Sequence, residues 1–209
     1  MELTGKVRKA LSNNMWYHGT TYNHWESFCE KSVIANINTN KAHELDFGYG
    51  FYLAPSAERA ESFIRGMVEN SGFYSDDEHL MILGFEFSPL ALFESDEIKT
   101  KIFPKYDDDF ANFVFDNRTE NIRGRYQHHY DIIYGVMSDA VPTLAISQYR
   151  IGEKTREEVI ETLKTSTSMK QMSLHTQKIC DILILKEAYI INRKTNERKE
   201  LNVDDYNCK

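Results

Sequence analysis

Cysteine is scarce in this 209-residue chain, occurring only at Cys29, Cys180 and Cys208. The odd number and wide spacing argue against a disulfide framework, and no pair sits at a zinc-ligand interval. Cys29 and Cys180 read instead as half-buried residues on helix faces. Long apolar runs are also missing. Nothing approaches the roughly 18 consecutive apolar residues that a membrane span requires, and no signal-type apolar run follows Lys6, Arg8 and Lys9. A cytoplasmic protein with no membrane partner is the expectation. An excess of positive charge is absent too, since the formal net charge is −7, which removes the global basic footprint of a nucleic-acid binder. One local run points the other way: Arg118, Arg123 and Arg125 followed by His128 and His129 suggest a phosphate-bearing partner. Repeats and low-complexity segments are lacking as well. The remaining balance, 41% hydrophobic and 27% charged, is that of an ordinary globular chain with a sizeable core, and one domain over residues 1–209 is expected.

What the chain does have is an unusual stretch from Asp46 to Phe63. Gly48 and Gly50 interrupt an aromatic, strand-favouring run that continues through Phe51, Tyr52, Leu53 and Ala54. Glycines inside such a run mark a bend or a place where another group approaches the backbone. Pro55-Ser56 is a turn signal, and Ser56 is placed to cap a helix over residues 56–68 whose apolar face carries Ala60, Phe63, Ile64 and Met67. A strand that brings an aromatic to a glycine-opened cleft suits a flat ligand.

The rest reads as α+β. Residues 1–13 form a short helix or a loose arm. Met15 to His18 is a strand ended by Gly19, and Trp25, Phe28 and Cys29 recur at helical spacing over residues 22–30. Val33-Ile34 starts a short strand, and residues 36–41 form a loop. Leu80 to Phe87 is a strand that Pro89 ends, and residues 91–103 are mixed, with a strand around Ile98 and Ile102. Asp107 to Asp109 are helix-start acids before Phe110, Phe113 and Val114 rather than a metal site, since no calcium-loop spacing follows. Tyr130 to Met137 is a buried strand, Pro142 opens a helix ending near Gly152, and Thr155 with Glu158 forms a capping box. Gln171 to His175 alternates like a half-buried strand. A short helix over residues 179–182 precedes a C-terminal hairpin within residues 184–209.

Three polar residues stand at the ends or edges of these strands: His18 before Gly19, Tyr52 after Gly50, and Gln171 before Ser173. Each alone has a bland explanation: a satisfied turn histidine, a core tyrosine, a surface glutamine. Together with the flanking glycines they compose a known pattern. His18-Gly19-Thr20, then Gly48-x-Gly50-Phe51-Tyr52-Leu53-Ala54, then the helix through Ala60 to Phe63, resembles the NAD-binding core of ADP-ribosyltransferases of the diphtheria-toxin and poly(ADP-ribose) polymerase branch. The likeness extends to a bacterial subgroup through Asp46-Phe47-Gly48, Phe113-Val114-Phe115-Asp116-Asn117-Arg118, Tyr130-Asp131-Ile132-Ile133-Tyr134-Gly135 and Gln171-Met172-Ser173-Leu174-His175-Thr176.

The resemblance implies two small split β-sheets enclosing an NAD cleft, with helices packed outside. It implies a catalytic set of His18, Tyr52 and Gln171, and NAD contacts at His18, Gly19, Thr20, Gly50, Tyr52, Ala60 and Phe63. NAD is the substrate, and no metal is called for. His18 would bond the adenine-side ribose, the Gly19 backbone the nicotinamide amide, and Tyr52 and Phe63 would stack on the ring. The third position departs from the better-known His-Tyr-Glu pattern. Gln171 can accept a ribose hydroxyl through its carbonyl but brings no negative charge, and this points to transfer of a single ADP-ribose. Ser173 and His175 share that segment without an assigned role. The implied activity is mono-ADP-ribosylation of a protein or nucleic-acid acceptor by a bacterial toxin restrained by a small antitoxin or immunity protein. An NAD glycohydrolase and a non-catalytic NAD or nucleotide module are the alternatives.

Overall fold

A computed structural model of the protein describes residues 3–31, 45–70, 78–120, 128–138, 141–165 and 169–205. Helix α1 (Gly5–Leu11) buries Val7 and Leu11. Strand β1 (Met15–Thr21) runs directly into α2 (Tyr22–Lys31). Strand β2 (Phe51–Leu53) precedes α3 (Ala57–Asn70), where Ser56 Oγ accepts from the Arg59 amide at 3.4 Å. Strand β3 (His79–Glu86) is followed by α4 (Pro89–Glu94). Pro89 serves both changes, because it cannot donate to a ladder yet fits a first helical turn. Strand β4 (Thr100–Phe103) leads to α5 (Asp108–Glu120), whose start is held by Asp107 Oδ1 accepting from the Phe110 amide at 3.1 Å. Strand β5 (Ile132–Val136) is buried along its whole length. Helix α6 (Val141–Arg150) is joined to α7 (Arg156–Leu163) by the reciprocal Thr155–Glu158 capping box. Strand β6 (Lys170–Leu174), the short α8 (Gln177–Cys180), β7 (Ile184–Asn192) and β8 (Arg198–Leu201) complete the described chain.

These elements form two compact units, the first comprising Met1–Ile34, Leu53–Ser95 and Cys180–Lys209, the second Ala35–Tyr52 and Asp96–Ile179. The class is α+β, with two open four-stranded sheets among the described residues. The sheet of the first unit has the order β1-β3-β7-β8 with every neighbouring pair antiparallel. Helix α3 covers one of its faces through Ala57, Ala60, Ile64 and Val68, which pack with Leu80, Ile82 and Ile191. Helix α2 covers the other, where Phe28 meets Phe85 edge to face. The second sheet has the order β2-β6-β5-β4 and is mixed, β4 lying parallel and β6 antiparallel to β5. In the second unit α5, α6 and α7 bury Phe110, Val114, Phe115, Ile146, Val159 and Leu163 in one cluster with Phe47 and Phe103.

Several sequence expectations need correction. The strand read from Asp46 begins only at Phe51, because residues 45–50 are turns. Phe63 is not on the inward face of α3: it is 38% exposed, and the buried positions are Ala57, Ala60, Ile64 and Val68. Strand β6 is not half-buried, since Gln171, Met172, Ser173 and Leu174 are all buried. Cys180 is a free buried thiol that burial pushes up to about 12, so it is no nucleophile. Cys29 is disulfide-bonded, which the helix-face reading did not anticipate. The strand at Val33-Ile34, the loop over residues 36–41, and Arg123 and Arg125 lie outside the described residues. No described helix is long and apolar enough to cross a membrane.

Candidate functional site

In the first unit, strand alternation sorts the residues around His18 between two faces. Gly19 pairs with Ile82 and faces α3, whereas His18 pairs with Leu83 and Thr20 with Met81 on the face that α2 covers. Thr20 and Thr21 hydroxyls both lie within hydrogen-bond reach of His24 Nδ1 on α2, at 3.5 and 3.2 Å. Gly19 has a packing reason of its own. A Cβ there would stand 2.4 Å from the Ala60 carbonyl oxygen and 3.0 Å from Ile64. Ala60 is itself 2% exposed, a core residue of α3. The structure therefore brings His18 and Thr20 to one face of this sheet and Ala60 to the other, with the Phe63 ring exposed on α3. Gly19→Ala is expected to push α3 off β1 and to cost about 1–3 kcal/mol, as overpacking does. A denaturant midpoint unchanged from the wild type would refute that close approach.

In the second unit, a polar cluster forms where the turns of residues 45–50 meet β6, α5 and the segment after β5. Its centre is the carboxylate of Asp46, 4% exposed. Oδ1 accepts from Arg118 Nη2 at 2.9 Å and from the Ser138 hydroxyl. Oδ2 accepts from the Ser138 amide at 2.8 Å and from Gln171 Nε2 at 3.0 Å. The Asp46 carbonyl takes a further bond from Asn117 Nδ2 at 3.1 Å. Arg118 is thus half of a buried ion pair, with 8% and 4% side-chain exposure for the two partners. It is not an open phosphate anchor, which removes the described arginine of the basic run from that role.

Alternation along β6 puts Gln171, Ser173 and, just past the strand, His175 on one side. All three are buried because the turns lie over them. A Cβ at Gly50 would come 2.8 Å from His175 Nδ1 and from the Leu174 carbonyl, so only glycine permits the turn to sit this close. His175 Nδ1 donates to the Tyr49 carbonyl at 2.8 Å, which fixes the tautomer and leaves Nε2 to accept from the Ser173 hydroxyl at 2.8 Å. His128 is held the other way round: Nε2 donates to the Phe47 carbonyl at 2.9 Å, and Nδ1 accepts from the Tyr130 amide at 3.2 Å. The two imidazoles meet edge to face with centroids 4.3 Å apart. Ser173 and His175 have the bonding of a nucleophile and its base, but at 0% and 6% exposure they serve the packing.

Tyr52 closes the cluster. Its hydroxyl donates to the Gly48 carbonyl at 2.7 Å and accepts from the Phe47 amide at 3.2 Å. Burial of the hydroxyl, with the Asp46 carboxylate adding to it, holds the phenol well above its ordinary range. Tyr52 is therefore a neutral phenol and not a base, with a ring fixed at its far end and packed against the Phe47 cluster, the residue as a whole being partly buried. Gln171 spends its NH2 on Asp46, and among the described residues nothing donates to its carbonyl oxygen. Chemically the arrangement offers a rigid aromatic face and an oriented amide carbonyl. For Asp46, Arg118, Ser138 and His128 the sequence suggested no place in this cluster, Arg118 and His128 standing there only as parts of a basic run. The first two were visible as motif members, while Ser138 and His128 carried no signal tying them to the cluster. Residues 17–185 match a family model described as "Protein of unknown function (DUF3990)". No curated protein and no solved structure matches the chain.

Proposed function

The chain belongs to the DUF3990 family of proteins of unknown function, and from the residues of its site we propose that it is a mono-ADP-ribosyltransferase acting on NAD, used as a bacterial toxin. The observation that carries the reading is Tyr52, whose hydroxyl is tied to Gly48 and Phe47 in a residue that is only partly buried. A flat ring stacks best on an aromatic that cannot swing away. The ordered motifs from His18-Gly19 to Gln171 support the same ligand, and the two four-stranded sheets are taken as the split sheets of the ADP-ribosyltransferase architecture.

In this mechanism the nicotinamide–ribose bond breaks, nicotinamide leaves with the bonding electrons, and the acceptor attacks the oxocarbenium-like ribose carbon and loses its proton. Tyr52 would orient the nicotinamide, the Gly19 backbone its amide, and His18 the adenine-side ribose. Gln171 would accept from a hydroxyl of the ribose that develops charge. Phe63 would supply the second aromatic.

The test is incubation with NAD and a bacterial extract, followed by separation into protein, RNA and DNA and detection of ADP-ribose adducts and free nicotinamide. Adducts in one fraction support transfer and name the acceptor class. Nicotinamide release without adducts selects NAD hydrolysis. NAD binding without turnover leaves a non-catalytic module. Tyr52→Ala is expected to weaken NAD binding by roughly 2- to 13-fold from lost stacking alone and to abolish growth arrest on expression, whereas Tyr52→Phe keeps the ring and most of the binding. Equal binding by the alanine variant would sink the assignment of Tyr52.

A further inference from the structure

The better-known branch of the resemblance has a glutamate where this chain has Gln171, and the Asp46 cluster gives a physical reason for the difference. The Asp46 carboxylate is saturated by donors: Arg118 Nη2, the Ser138 amide and hydroxyl, and Gln171 Nε2. Only a donor can occupy the fourth place, because an acceptor there would face a carboxylate oxygen at about hydrogen-bond distance in a buried setting. A carboxamide of this length donates on one side and accepts on the other in its ordinary state, which a glutamate does only when protonated. With Nε2 committed to Asp46 at 3.0 Å, the flip of the amide is settled. Oε1 then lies on the far side of the amide from Asp46. Gln171 as a whole is 8% exposed, and no described residue donates to Oε1.

We infer that Asp46 is a positioning residue for Gln171: its carboxylate holds the carboxamide NH2 and presents the Gln171 carbonyl oxygen as a fixed acceptor for a ligand hydroxyl, a place an ionised glutamate cannot take. The ligand half of this rests on the transferase reading, in which the hydroxyl belongs to the ribose of NAD. The orienting half rests on the cluster alone. Asp46 itself has no oxygen left for the ligand, so its action is through Gln171.

The experiment uses the full chain labelled with 15N. The Gln171 side-chain amide signal is identified by its loss in Gln171→Ala, and its exchange with water is compared with that of the other glutamine amides. Slow exchange and a downfield-shifted proton are expected for an amide buried against a carboxylate. Exchange as fast as that of an exposed glutamine overturns the orientation. Thermal unfolding of Gln171→Glu and Gln171→Ala supplies the second arm. The glutamate variant should melt below the alanine variant, because it adds a second acceptor and charge to a filled site, and a glutamate variant as stable as wild type overturns the proposal. Adding NAD should then shift the Gln171 amide signal. If NAD shifts other resonances and leaves this one unmoved, the ligand half is wrong. If NAD shifts nothing, the transferase reading falls with the ligand half, while slow exchange and the melting order still establish Asp46 as the residue that orients Gln171.

Discussion

Asp46→Ala should lower the melting temperature by about 10 °C or more, since breaking a buried pair costs about 3–5 kcal/mol and each kcal/mol moves a chain of this size by roughly 2–4 °C. The reason lies in what is left behind. Arg118 stays 7% exposed with no counter-ion, and its Nε already has no partner. The Ser138 amide, the Ser138 hydroxyl and Gln171 Nε2 each lose their acceptor. An unsatisfied buried donor costs far more than a made bond contributes. Because the damage comes from stranded donors, the double variant Asp46→Ala, Arg118→Met should lose much less than the sum of the two single changes. Circular dichroism melts of the four proteins give the coupling directly. A single Asp46→Ala variant melting within about 2 °C of wild type, less than the shift expected of one kcal/mol, would show that the pair holds nothing together.

How far the sequence revealed this arrangement depended on how far apart the partners were. The capping box of α7 was legible because Thr155 and Glu158 are three residues apart, and the Asp107 cap of α5 for the same reason. The buried strand β5 could be read from its own apolar run. The alternation of β6 is legible in the sequence as that of a half-buried strand, but not the burial of its polar side. In the fold that side is buried on the turns of residues 45–50, which lie 125 residues earlier at the Gln171–Asp46 bond. No local pattern carries that contact. Arg118 was misjudged for the same reason: its neighbours in sequence suggested a basic run, while its partner Asp46 is 72 residues away. In α3 the misplacement of Phe63 came from choosing between two overlapping helical stripes. The stripe through Ala57, Ala60, Ile64 and Val68 faces the sheet because β1 offers only Gly19 at that point, leaving room for Ala60 but not for a ring. The candidate site itself was legible as residue identities, and its organising carboxylate was not.

The second large effect is acid destabilisation centred on the two histidines. Burial pushes His128 down to about 4, against the bond to the Phe47 carbonyl and aided by His129. Burial pushes His175 down to about 3, with the neighbouring His128 adding to it against the Tyr49 carbonyl and Asp131. In the unfolded chain both titrate near the ordinary 6.5. Between those values the unfolded chain takes up protons that the fold refuses, so stability falls as the pH drops below 6.5 and keeps falling toward 4. Each unit of separation is worth about 1.4 kcal/mol per group, which makes the expected loss by pH 4 about 3 kcal/mol for each histidine. The bonding explains why the fold refuses the protons. A second proton on His128 would sit on Nδ1, facing the Tyr130 amide that now donates to it. On His175 it would sit on Nε2 and take the place of the proton that the Ser173 hydroxyl now donates, and two charged rings would then stand 4.3 Å apart. Asp131 acts lower on the scale. Its desolvation is outweighed by the Lys99 amide, Lys178 and Thr176, so its pKa is lowered and its contribution is lost only in stronger acid. Urea unfolding at steps between pH 7 and 4 should therefore show a steep decline in wild type. His128→Gln, which carries no titrating group, should start less stable at pH 7 but decline with a shallower slope. Parallel declines for the two proteins would show that His128 takes no part in the acid response.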